Sequence, residues 1–177
     1  MSADVKRIVL ILIAAAIVYL AGNARMGLWD RDEPRYAQCS RQMLQSGDWV
    51  VPRIYDKLRT QKPPFIYWCQ ATAMSLFGSE GNAGAFSARV PSVVAMLATL
   101  VLLAVIVTRH SGAEQAMWTV LVMASSAMTI MAAKICLTDS VLILFITVAQ
   151  FCLYAIWRGN RSWGVAILMA AMFGLAG

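Results

Sequence analysis

Charge is what this chain has least of. Only 14% of its residues are Asp, Glu, Lys or Arg, against about 25% in a soluble domain, so a water-exposed surface cannot be built from this composition. The four cysteines, Cys39, Cys69, Cys136 and Cys152, show no CxxC or Cys/His spacing, which argues against a metal site built on them. Cys136 and Cys152 lie in or beside apolar runs and are read as packing residues. There is no internal repeat and no low-complexity segment. The net charge of +6 is divided between short loops and one long loop. No basic stripe interleaved with exposed aromatics is present, so nucleic acid is not an expected partner.

Apolar sequence is abundant, at 60% of the chain with a mean hydropathy of +0.66. Ile8–Ala24, Val90–Val107, Ala116–Ala133 and Ser140–Trp157 each run 17 or 18 residues without a charge, and Ser162–Gly177 is a further run. Such lengths approach the ~20 residues that cross a hydrocarbon core of about 30 Å. In lipid each backbone amide must be satisfied within its own segment, so the runs are expected to be helices. Lys6 and Arg7 ahead of the first run imitate a signal peptide, but no small-x-small site followed by a polar domain ends it. It is read as an uncleaved first span. The chain ends at Gly177 within an apolar run, and the sequence is expected to be the N-terminal part of a longer protein.

Topology turns on Pro64–Phe77, which is only 14 residues long, opens on Pro63-Pro64 and carries Tyr67, Trp68 and Gln70. That length suits an interfacial or re-entrant segment better than a span. If it does not cross, Lys6, Arg7, Arg109, Arg158 and Arg161 all fall on the inner side, and the one short outer loop holds Lys134 alone. The excess of Lys and Arg in cytoplasmic loops selects this arrangement, with a cytoplasmic N-terminus. The expected map has spans at about 8–28, 87–108, 116–134, 140–157 and 162–177, and an outer loop at 29–86. The fold class is all-α, a polytopic transmembrane bundle with interfacial helices in that loop. Pro34–Ser46 reads as one such amphipathic helix, with Gly47 as its stop, and Pro64–Phe77 as the other.

The outer loop is where charge collects. Residues 29–62 hold seven of the fifteen basic residues, Arg31, Arg35, Arg41, Arg53, Lys57, Arg59 and Lys62, on the side where positive charge is disfavoured. Ion pairing inside the loop is one explanation; capture of a phosphate at the membrane surface is the other. Asp32 and Glu33 read equally as a helix cap ahead of Pro34 and as functional carboxylates. Asp139, in Thr138-Asp139-Ser140 before an apolar run, is similarly placed to cap a helix. The topology nevertheless sets Asp32, Asp139 and Lys62 on one membrane face. A carboxylate there can take a proton from an attacking hydroxyl, and a cation can stabilise a departing phosphate. A transporter or other non-enzymatic membrane module is the competing reading. It would place ionisable residues near the bilayer midplane or break matching spans, whereas here the charges gather at span ends and in one loop.

Three elements in order carry a resemblance: Asp32-Glu33-Pro34-Arg35-Tyr36-Ala37, Gly47-Asp48-Trp49-Val50-Val51-Pro52, and Lys62-Pro63-Pro64-Phe65-Ile66-Tyr67-Trp68. Together they resemble the aminoarabinose transferase and protein mannosyltransferase group of membrane glycosyltransferases, over nearly the whole chain. The resemblance implies a GT-C fold and a polyprenyl-phosphate-linked sugar donor. The acceptor would be a lipid, a glycan or a protein, and the site would face outward from a bacterial inner membrane. It makes Asp32 the candidate base or acceptor-orienting carboxylate, with Asp139 a second carboxylate of the catalytic cavity. Lys62 and Arg35 would bind the lipid phosphate, with Glu33 and Tyr36 beside them on the substrate. Gln61 stands where many members carry an acid able to ligate a metal, so neither a metal nor another cofactor is predicted.

Overall fold

The computed structural model describes residues 3–28, 32–59, 62–159 and 162–176. Among them are eight helices: α1 (Ala3–Leu20), α2 (Glu33–Ser46), α3 (Phe65–Phe77), α4 (Gly81–Ser111), α5 (Ala113–Ser125), α6 (Ala127–Lys134), α7 (Asp139–Trp157) and α8 (Trp163–Ala176). One antiparallel ladder, β1 (Arg53–Ile54) with β2 (Lys57–Leu58), pairs Arg53 with Leu58 and Ile54 with Lys57. Its turn places Tyr55 at φ 54°, where an L side chain is uncommon. Gln42 of α2 holds that turn by accepting from the Tyr55 N–H at 2.8 Å and donating to the Tyr55 carbonyl at 2.7 Å.

The long helix α4 is the axis of the bundle, touching α1, α2, α3, α5, α6 and α7. With 31 residues it is about 46 Å long, well beyond a hydrocarbon core of about 30 Å. Its early turns therefore project among the loop helices. They are built of small residues, Gly84, Ala85, Ser87 and Ala88, all buried. At Gly84 a β-carbon would lie 2.4 Å from the Ser79 carbonyl oxygen, so only glycine lets the entering chain pass this closely. One core joins Tyr19, Met96, Leu100, Val120 and Ala133, from α1, α4, α5 and α6. A second joins Tyr36, Cys39, Met43, Ile66, Tyr67, Val141 and Phe145, sealing α2 and α3 onto α4 and α7. Large apolar side chains on the outside, such as Leu10, Ile17, Val122 and Met128, have the arrangement expected where the surrounding solvent is hydrocarbon.

By length and composition α4 and α7 are each able to cross a membrane, and α5 with α6 qualifies as a pair bent by 62°. This bend divides the apolar run expected as one span at 116–134. The break falls at Ser126, whose ψ of 130° leaves the helical region. The buried Tyr19 hydroxyl donates to the Ala124 carbonyl at 3.0 Å, so α1 satisfies an acceptor that the break leaves without a helical partner. The first expected span also differs. Helix α1 stops at Leu20 rather than near 28, because Gly22 turns to φ 81°. Asn23 then donates back to the Tyr19 carbonyl, and Lys134 donates to that of Ala21. The segment α3, at 13 residues, reaches only about 20 Å and is too short to cross.

Candidate functional site

Asp32 precedes α2, but its carboxylate makes no capping hydrogen bond. Its backbone carbonyl accepts from the Arg35 and Tyr36 amides at 3.0 and 3.1 Å. Among the described residues, the partner of the exposed carboxylate is Arg35 Nη1, at 3.1 Å. A pair in this setting contributes ~0–1 kcal/mol to stability, so the helix has little need of the Asp32 side chain. Of the two neighbouring carboxylates, Arg35 thus pairs with Asp32, and the pair is solvent-exposed.

Glu33, expected on the substrate, is instead wholly buried. Its carboxylate accepts from Arg89 Nε at 3.1 Å and Nη2 at 2.8 Å, and from the Cys136 amide at 2.9 Å. Arg89, itself 2% exposed, also donates to the carbonyls of Asn23, Met26 and Gly27. One ion pair therefore ties the segment after α1, the first turn of α2, the early turns of α4 and the α6–α7 connection. With both oxygens so engaged, Glu33 serves the fold in this structure. Arg89 as the hub was missed by sequence reasoning, although an arginine bordering the charge-free run Val90–Val107 was the visible signal.

Tyr36, the other expected substrate contact, is 3% exposed. Its ring lies 5.6 Å from that of Tyr67, and the Arg59 guanidinium sits over it, 4.8 Å from the centroid. Arg59 Nε also donates to the Tyr67 hydroxyl at 2.7 Å. Burial pushes the Tyr67 phenol up to about 12, with the Arg59 charge pulling the other way. This cation–π assembly joins the end of the β1–β2 hairpin to both loop helices. Arg59 is consequently a structural cation among the loop's basic residues.

Lys62 stands three residues beyond it, exposed, at the entry to α3. It lines a cavity of about 90 Å³ with Pro63, Phe65 and Ile66, faced by Thr138, Val141, Leu142 and Phe145 of the α7 end and by Leu175 of α8. A lysine at the mouth of an otherwise apolar cavity can hold an anionic head group while the walls take a hydrocarbon tail. Thr138 occupies the cap position of α7, and Asp139 is its first helical residue rather than the cap expected from sequence. Asp139 is exposed and opens on a different cavity, about 630 Å³, bounded by Ser126, Thr129, Ala132 and Ile143 at the α5–α6 bend. The α7 start thus puts Thr138 in the same cavity lining as Lys62 and Asp139 in that of the neighbouring cavity. The connection is held by the Cys136 amide on Glu33 and by the Ser140 hydroxyl on the Ala132 carbonyl.

Asp48 is committed to its loop: its carboxylate accepts from the Val50 and Val51 amides, which hold it below the usual carboxylate range. Among the described residues no group of three or more His, Cys, Asp or Glu side chains is placed to hold a metal. Gln61, where the resemblance would place an acidic ligand, lies outside them.

Residues 61–177 match the family described as dolichyl-phosphate-mannose-protein mannosyltransferase. The undecaprenyl phosphate-alpha-4-amino-4-deoxy-L-arabinose arabinosyl transferase of Pseudomonas paraeruginosa is 42% identical over 101 residues, 57% of this chain and 18% of that protein. The protein of the same name from Shewanella sediminis is 34% identical over 133 residues, 75% of this chain and 24% of its own. Among solved structures, ArnT from Cupriavidus metallidurans in the apo state superposes with a TM-score of 0.86 at 27% identity, covering 99% of this chain and 33% of that one. The same protein bound to undecaprenyl phosphate gives 0.85, over 32% of its length. The chain therefore spans no more than a third of the relatives it matches.

Proposed function

The chain belongs to the dolichyl-phosphate-mannose-protein mannosyltransferase family, and from that premise we propose that it supplies the donor-phosphate end of a membrane glycosyltransferase. Its fold is the polytopic transmembrane helical bundle of the GT-C type. The donor in this reading is a sugar on an undecaprenyl- or similar polyprenyl phosphate. An acceptor hydroxyl or phosphate oxygen attacks the anomeric carbon, the bond from that carbon to the polyprenyl-phosphate oxygen breaks, and the phosphate leaves with the bonding electrons. Asp32 takes the acceptor's proton or orients the acceptor, and the Lys62 ammonium stabilises the negative charge that grows on the leaving phosphate. Arg35 steers the Asp32 carboxylate and adds a second cation at the entrance. Asp139 is proposed as a carboxylate of the acceptor side, since it opens beside the donor cavity rather than into it. No step is routed through a metal.

The observation that carries this reading is the placement of Lys62 at the rim of a cavity whose other walls are almost entirely apolar, between α3, α7 and α8. A polyprenyl tail cannot leave the hydrocarbon, so its phosphate must be met at that depth. Among the relatives, the names give an undecaprenyl-phosphate-linked aminoarabinose as donor; the proposal for this chain is the same donor class, with a lipid acceptor and the site on the outer side of a bacterial inner membrane. Membranes containing the gene's entire product test it when offered label from a polyprenyl-phosphate sugar and, separately, from a nucleotide sugar. Transfer from the lipid-linked donor alone is expected; transfer from the nucleotide sugar alone would overturn the proposal.

A further inference from the structure

At the end of α7 remote from Asp139, α4 and α7 leave a further cavity, of about 360 Å³, lined by Ile106, His110, Phe151, Tyr154, Ala155 and Arg158. Its lining is apolar at Ile106, Phe151 and Ala155 and polar at His110, Tyr154 and Arg158. Tyr154 sets its ring edge-on to His110, with centroids 5.3 Å apart, and stacks at a tilt on Trp157 at 6.0 Å. Among the described residues Arg158 forms no ion pair, and no carboxylate lines the cavity. Arg158 follows the last turn of α7, which Gly159 closes at φ 93°, and His110 lies in the last turn of α4. Trp157, packed on Tyr154, is 77% exposed, and Trp163 at the start of α8 is 83% exposed, the kind of aromatic residues that mark a membrane–water boundary.

The geometry points to a structural binding site for an anionic phospholipid at this end of the bundle, separate from the donor cavity. Arg158, His110 and Tyr154 all line the cavity, and the common complement of a guanidinium, an imidazole N–H and a phenol hydroxyl is a phosphate. The trough of Ile106, Phe151 and Ala155 beneath them suits an acyl chain, which a free phosphate does not have. Basic pockets between helices at a membrane boundary select anionic head groups on these grounds. Helix α7 has 19 residues, so about 28 Å separates this rim from Asp139. The lipid here is therefore not the sugar donor; it fastens α4 to α7 at the end where no loop helix does so.

The test uses the gene's entire product purified in detergent, given equal amounts of phosphatidylglycerol and phosphatidylcholine, with bound lipid counted by native mass spectrometry. Phosphatidylglycerol should be retained over phosphatidylcholine by about fivefold or more, and excess inorganic phosphate should not displace it. Arg158→Gln should bring that preference to within about twofold, while Arg158→Lys keeps most of it. Should Arg158→Gln fail to remain monodisperse, Tyr154→Phe removes only a hydroxyl and should still lower the preference measurably. Lys6→Gln, an equal change of charge elsewhere, should leave it unchanged. Equal retention of the two lipids, full retention in Arg158→Gln, displacement by phosphate, or an equal loss in Lys6→Gln would each overturn the site. The last result would reduce Arg158 to one charge in a diffuse field.

Discussion

Glu33 and Arg89, 56 positions apart in the chain, form a bidentate ion pair at 3.1 and 2.8 Å with side-chain exposures of 0% and 3%. Removing one partner strands the other charge in the interior, at a cost of ~3–5 kcal/mol. Glu33→Met and Arg89→Met should each lower stability by that amount in SDS titrations of the solubilised protein. Combining Glu33→Met with Arg89→Met should cost clearly less than the two changes added together, because no charge is then left unpaired. Additive losses would mean that the two residues act separately.

Asp32 presents the opposite case. Its carboxylate makes no cap bond and one exposed ion pair. Asp32→Asn should therefore shift stability by less than about 1 kcal/mol, while transfer falls ~10²–10⁴-fold as expected for loss of a general base. A loss of stability with transfer near normal would make Asp32 a helix cap.

Tyr67 gives a pH signature. Its buried phenol titrates at about 12 rather than the ordinary 10.0. The folded state therefore holds the proton through a window in which the unfolded state has lost it. By linkage the stability contribution is complete below about pH 10 and is lost progressively between about pH 10 and 12. The SDS midpoint should fall across that window in the native chain and be flatter there in Tyr67→Phe.

The loop helices should lie on one side of the membrane, since α3 is too short to cross. In a background lacking Cys39, Cys69, Cys136 and Cys152, an impermeant maleimide should label Lys57→Cys and Glu80→Cys from the same side. Labelling from opposite sides would place a crossing between them and separate Asp32 from Asp139.

What the sequence discloses and what it conceals divide along physical lines. The run Ser140–Trp157 and the helix α7 agree within one residue, because an uncharged apolar stretch bounded by Asp139 and Arg158 has few alternatives. The amphipathic pattern from Pro34 to Gly47 similarly locates α2. The break at Ser126 is not legible in Ala116–Ala133, which holds neither proline nor charge. It depends on the Tyr19 hydroxyl, 105 positions away. Glu33 offered the same difficulty. Beside Asp32 it reads as one of a pair of acids, and only the tertiary position of Arg89 distinguishes the buried carboxylate from the exposed one. Arg59 looked like one more loop cation until Tyr36 and Tyr67 were brought to it.

The central claim is that Lys62 meets the donor's phosphate. It is tested most directly by comparing Lys62→Met with Lys57→Met, in the gene's entire product, for binding of a labelled polyprenyl-phosphate sugar and for its single-turnover transfer. Both residues are exposed basic side chains of the same loop, but only Lys62 lines the α3–α7–α8 cavity. A charge-assisted bond that strengthens as the phosphate departs should affect the chemical step as well as binding. Lys62→Met should lower both by more than about tenfold, or ~1.4 kcal/mol, with Lys57→Met close to the native chain. Small and equal effects at the two positions would contradict the account.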